Sequence, residues 1–159
     1  MSRFNRLTRK IPNFTFEELK DNDVEICLDL VKTVIVGPLH LKGPNILTLV
    51  GKNKGKIIGM ITGLVPQSSQ LYQNSRIFFL YPIDGEFARK GLPVMLLNEF
   101  IKEVKKRLPK ASYIDVIVNP QSVTYVALYS LNGFVINGFV QGYLGSPDQV
   151  FLRGQLREK

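Results

Sequence analysis

The 159-residue chain has the length of one domain, and its 45% hydrophobic and 21% charged residues suit a packed core, which excludes wholesale disorder. A single cysteine, Cys27, and a single histidine, His40, exclude an intramolecular disulfide and a thiolate or imidazole metal cluster, so no metal is expected. The formal charge of +8 favours a polyanionic partner, whether a phosphorylated cofactor, an acidic protein or nucleic acid, without choosing among them.

In chain order, residues 1–12 read as a basic arm carrying Arg3, Arg6, Arg9 and Lys10, and residues 13–159 as a single domain. No apolar run follows the arm as a secretory signal would require, and the longest apolar stretch, Ile57 to Val65, is too short for a bilayer; a cytoplasmic protein with no membrane partner is expected. Phe14-Thr15-Phe16 is a short strand. Asp21-Asn22-Asp23 then supplies cap chemistry for a helix with Val24, Cys27, Leu28, Val31 and Val34 on its inner face, stopped by Gly37-Pro38. On that stripe the Cys27 thiol is a small packing group.

Ile46 to Val50 and Ile57 to Val65 are β-rich and joined by a turn of Gly51 to Lys56, which predicts an antiparallel hairpin. Ile77 to Ile83 is a further strand, with Pro82 at a position where a ladder donor is dispensable. Gly85 to Gly91 reads as a loop, followed by a helix with Leu97, Phe100, Ile101, Val104 and Leu108 on one face and Pro109 at its end. With Tyr113 to Val118 these form a strand-helix-strand crossover, so the sheet is mixed. Asn119-Pro120 is expected to cap a short helix running to Leu131 and closed by Asn132-Gly133. Phe134 to Leu144 and Val150 to Leu156 are the last strands, separated by Gly145-Ser146-Pro147-Asp148.

A strand leading through Phe87 to Val94 into a helix is the local order that cradles phosphate on backbone N–H groups at a helix N-terminus, and Arg89, Lys90 and Gly91 suit that role. The run from Ile83 to Leu97 resembles the pyrophosphate loop of the GNAT superfamily of acyl-CoA N-acyltransferases, Gln/Arg-x-x-Gly-x-Gly/Ala before a Leu-Leu helix start. The run from Ser122 to Phe134, with Leu128-Tyr129 and Gly133-Phe134, is similar to the same family's Asn-x-x-Ala-x-x-Leu-Tyr-x-x-x-Gly-Phe segment. Ala88, Pro93 and Ser122 depart from the pattern, and Pro93 removes one N–H from the loop.

The resemblance implies an α/β fold of about seven strands and four helices with a splayed central pair. It implies acetyl-CoA as co-substrate, and a primary amine of a small molecule or protein as acceptor. Backbone groups of Tyr81 and Ile83 would pair with pantetheine. Arg89, Lys90, Gly91, Leu92 and Val94 would hold the pyrophosphate, Ser122 would stand at the cofactor, and Tyr129 would protonate the departing thiolate. No general base is legible: Asp84, Glu86 and His40 are ordinary solvated residues on this reading, and water would serve. The alternatives are a catalytically silent protein of the same fold that binds CoA, or one that binds nucleic acid or another polyanion through its basic clusters. A monomer and a homodimer are both compatible with the sequence.

Overall fold

A computed structural model describes residues 14–32, 40–66, 74–82, 85–142 and 147–156. Among them seven strands form one sheet, β1 (Phe14–Glu18), β2 (Ile46–Asn53), β3 (Lys56–Leu64), β4 (Ser75–Tyr81), β5 (Tyr113–Val118), β6 (Phe134–Val140) and β7 (Gln149–Gln155). Four α-helices accompany it, α1 (Val24–Val31), α2 (Gly85–Arg89), α3 (Leu92–Arg107) and α4 (Val123–Leu131). The strand order is β1-β2-β3-β4-β5-β7-β6, antiparallel throughout except for β4 beside β5. This is the mixed sheet and helix complement expected from the sequence.

Alternation along β2 and β3 sorts their side chains to two cores. Leu47, Leu49 and Ile61 join Leu96, Leu97, Phe100 and Val104 of α3, and Tyr129 and Phe134 at the α4 end, in the larger cluster. Val50 and Met60 face the other way and meet Cys27 and Val31 of α1. Burial pushes the Cys27 thiol up to about 11, so it packs as an apolar group and is not poised to react.

Several boundaries differ from the sequence expectation. Leu28 is turned outward on α1, because the inner row follows Cys27 and Val31; Val34, Gly37 and Pro38 lie outside the described residues. The β2–β3 turn is only Lys54-Gly55, both at positive φ (49° and 77°), as a two-residue turn that follows the strand twist requires. Pro82 follows β4 instead of interrupting it. Asn119-Pro120 does not start α4. The Asn119 side-chain oxygen accepts the Gln121 N–H at 2.8 Å in a local turn, and the helix begins only after Ser122.

Gly85 to Gly91 is likewise not an open loop. Residues Gly85–Arg89 form α2, favoured by the i,i+4 ion pair of Glu86 with Lys90, and Gly91 at φ 89° reverses the chain before α3. The last strands are shorter at β6 than expected, and Gly145-Ser146 lies outside the described residues, as does the basic arm.

Candidate active site

The site arises where two neighbouring strands part. β4 and β5 are paired only at Ser75–Ile77 against Ile114–Val116. Beyond that point Phe79, Leu80 and Tyr81 stay on β3, while Ile117 and Val118 stay on β7. Each wall keeps its outer neighbour and gives up the inner one, so the two strands open as a V. A register shift opposite Thr62 and Gly63 inserts Phe78 as an extra residue in β4 just where the parting begins, and a bulge of this kind bends a strand away from its neighbour.

Close packing fixes β4 there. A Cβ on Gly63 would lie 2.4 Å from the Arg76 carbonyl oxygen and 2.8 Å from the Phe100 ring. At the far end a Cβ on Gly59 would meet the Tyr81 carbonyl oxygen at 2.7 Å and Leu92 at 2.9 Å, so only glycine lets β3, β4 and the start of α3 meet.

The cleft measures about 210 Å³ and is lined by Phe78, Leu80, Val116 and Val118 with four polar side chains, Asn119, Ser122, Tyr125 and Tyr129. Tyr129 is buried, its ring 5.2 Å from that of Phe134. Burial pushes its phenol above the ordinary tyrosine value, and the neighbouring Tyr125 adds to the effect, so Tyr129 holds its proton across the physiological range. The Tyr125 hydroxyl donates to the Leu80 carbonyl at 2.9 Å and ties α4 to the splayed part of β4. No carboxylate, histidine or lysine lines the cleft among the described residues.

At the end of β4 the chain passes through α2 into α3. As N1 and N3 of that helix, Leu92 and Val94 carry N–H groups with no acceptor within the helix, whereas Pro93 between them has no N–H. The Gly91 carbonyl accepts the first helical bond, from Met95. Arg89 and Lys90 are exposed beside this turn, and Lys90 pairs with Glu86 and sits 5.6 Å from the centre of the Phe87 ring. The arrangement offers backbone donors and cationic side chains to an anion.

Of the residues expected from the sequence, Tyr129 and Ser122 line the cleft, and Arg89, Lys90, Gly91, Leu92 and Val94 gather at the start of α3. Tyr81 does not line the cleft. Its carbonyl is directed at Gly59 of β3, and the residue whose carbonyl faces the cleft is Leu80. The inserted Phe78 sets this alternation, and a periodicity argument cannot see it. Ile83 and Asp84 lie outside the described residues. His40 is exposed and is not among the cleft residues. Asn119 and Tyr125 were not anticipated as cleft residues, although Tyr125 stands one helical turn before Tyr129 and so shares its face.

No family model matches the sequence, and no curated protein matches it. Solved structures do match. The ribosomal-protein-S18-alanine N-acetyltransferase from Escherichia coli is 18% identical, with a TM-score of 0.76 over 92% of this chain and 96% of that one. An acetyltransferase of the GNAT family from Streptococcus pneumoniae is 18% identical, with a TM-score of 0.70 over 89% and 98%. The chain has the GNAT fold. NAA60 from Arabidopsis thaliana, solved in complex with acetyl-CoA, shares the GNAT fold at 15% identity and a TM-score of 0.71 over 89% and 98% of the two chains.

Proposed function

We propose that this protein is an N-acetyltransferase that moves an acetyl group from acetyl-CoA to a primary amine. The observation that carries the reading is the cleft between β4 and β5, with the protonated Tyr129 in its wall and the donors of the α3 N-terminus beyond its end. These residues fit the group. Arg89 and Lys90 with the N–H groups of Leu92 and Val94 would hold the pyrophosphate, with Gly91, whose own N–H is given to the Ala88 carbonyl, letting the backbone approach it; Leu80, Ser122 and Asn119 would flank the pantetheine arm. The solved complex of NAA60 with acetyl-CoA supports the choice of co-substrate.

Acetyl-CoA supplies an activated acetyl group as a thioester. Transfer joins the amine nitrogen to the carbonyl carbon and breaks the carbon–sulfur bond, so one proton must leave the nitrogen and another must reach sulfur. Tyr129 is the donor for sulfur: burial keeps its phenol neutral, and it stands in the cleft wall. The nitrogen's proton passes to water, because no basic side chain lines the cleft among the described residues. The apolar wall formed by Phe78, Leu80, Val116 and Val118 favours the uncharged amine, whose lone pair attacks, over the ammonium form.

A second reading, a catalytically silent protein of the same fold that holds CoA only weakly, is favoured by Pro93 and by the Tyr125–Leu80 bond, which respectively remove a donor and occupy a strand carbonyl at the cleft. Tyr129→Phe separates the two. Thiol release from acetyl-CoA in the presence of an amine panel, from polyamines to peptides with free N-termini, should fall by about 100-fold or more, with the Kd for acetyl-CoA changed less than about threefold. Equal losses in turnover and binding would assign Tyr129 to packing alone, and no turnover in the wild type with any amine would favour the silent reading.

A further inference from the structure

β6 is an edge strand, and its outer side faces no other strand among the described residues. Natural sheets protect such edges with lysine, proline or charge, and the opposite edge does so: β1 carries Glu17 and Glu18. β6, Phe-Val-Ile-Asn-Gly-Phe-Val, carries none of these, and a bulge at Asn137 is its only irregularity. Side chains are apolar on both faces of it. Ile136 and Phe139 stand opposite the buried Leu152 and Val150, on the face that α4 covers only in part, while Val135 and Val140 stand opposite Arg153 and Gln149 on the other. Next to β6, α4 turns Val123, Ala127 and Leu131, four residues apart, to solvent in one row.

We infer that this surface pairs with a second copy of the same chain, β6 against β6 about a twofold axis with the outer rows of α4 alongside. Charge selects that occupant. All 21 basic and 13 acidic residues lie outside residues 116–147, so the charge-free run consists of α4, β6 and their flanks. Two molecules that each carry +8 repel one another over most orientations, and the approach that brings no like charges together is through this face.

The area is sufficient. Val123, Leu131, Val135, Ile136, Phe139 and Val140 are exposed by 71%, 58%, 64%, 63%, 58% and 51%. At roughly 90 Å² of exposed surface each they offer about 550 Å² of apolar area, against the ~450 Å² contained in a standard patch of about 800 Å² per partner. Antiparallel pairing about the twofold also gives the unpaired N–H and C=O groups of the edge mutual partners, and a twofold closes on itself so that the edge is used up.

Sedimentation velocity of the full chain between about 1 and 100 µM tests the assignment; a micromolar dimer would populate across this range. The wild type should sediment as two chains at the upper end. Ile136→Lys with Phe139→Lys on β6, and separately Val123→Lys with Leu131→Lys on α4, should each sediment as one chain with unchanged far-UV circular dichroism. Ile26→Lys with Leu28→Lys, on the exposed side of α1, should leave the dimer intact. A wild type that stays monomeric throughout overturns the inference. So does an open series of larger species, a dimer that survives in either folded β6 or α4 variant, or one lost in the α1 variant.

Discussion

The two tyrosines of α4 divide the work at the cleft. Tyr129 is buried against Phe134 and keeps its proton, whereas Tyr125, one turn earlier, spends its hydroxyl on the Leu80 carbonyl. That carbonyl belongs to a stretch of β4 that has left β5, so the Tyr125 bond takes the place of part of a strand partner. Any ligand that pairs with this stretch of backbone must displace or share it. Tyr125→Phe should therefore tighten acetyl-CoA binding by about fivefold while lowering stability by about 1 kcal/mol, the size of one hydrogen bond. Calorimetric titration and denaturant unfolding of the same variant check both parts. Weaker binding would instead make the hydroxyl a contact for the ligand.

At the scale of elements, the cleft depends on how β3 holds β4 after β5 has let go. The register shift at Gly63 needs the carbonyl of Arg76 and the ring of Phe100 to approach the glycine directly. Gly63→Ala places a methyl group 2.4 Å from that carbonyl, which cannot move without breaking the ladder. A loss of about 2–4 kcal/mol, a fall in Tm of roughly 5–10 °C, is expected, and a melt within a degree of the wild type would show that the shift is relaxed at no cost.

The elements themselves were largely legible. Period-2 and period-3.6 patterns found all seven strands and helices α1, α3 and α4. What patterning could not supply was the state of short segments. α2 depends on one ion pair and two flanking glycines, and the delayed start of α4 depends on a side-chain turn at Asn119. The lining of the cleft and of the α3 N-terminus was legible where a local motif exists, at Arg89 to Val94 and at Tyr129. It was missed at Leu80, Asn119 and Tyr125, because these reach the cleft through a bulge and a strand parting made by residues distant in sequence.

Over the whole molecule, charge is segregated. Acidic and basic residues meet in ties at one end of the sheet, where Lys52 of β2 pairs with Glu17 of β1 and, at 2.8 Å, with Asp23 in the turn before α1. The Lys52 ammonium, with Lys20 beside it, holds the Glu17 carboxyl below its ordinary range, and Asp23 and Glu17 raise Lys52. A depressed carboxylate contributes stability that is present above its unfolded value, about 4.3, and is lost as pH falls through the lower folded value. Chemical denaturation should thus show wild-type stability dropping below about pH 4.3, with a shallower acid limb in Lys52→Met. Parallel acid limbs would mean that the tie contributes nothing to the fold.

The opposite end of the sheet, from α4 through β6, carries no charge, and between the two ends lies the cleft with its anion-seeking rim at α3. The reading of this protein as an acetyltransferase stands on that cleft and rim acting together on one ligand. A calorimetric titration of the full chain with acetyl-CoA tests this most directly. Saturable one-to-one binding with a Kd on the order of micromolar, weakened about tenfold or more by Arg89→Glu, is the result the geometry predicts. Absence of heat and of any thermal shift up to about millimolar acetyl-CoA would contradict it.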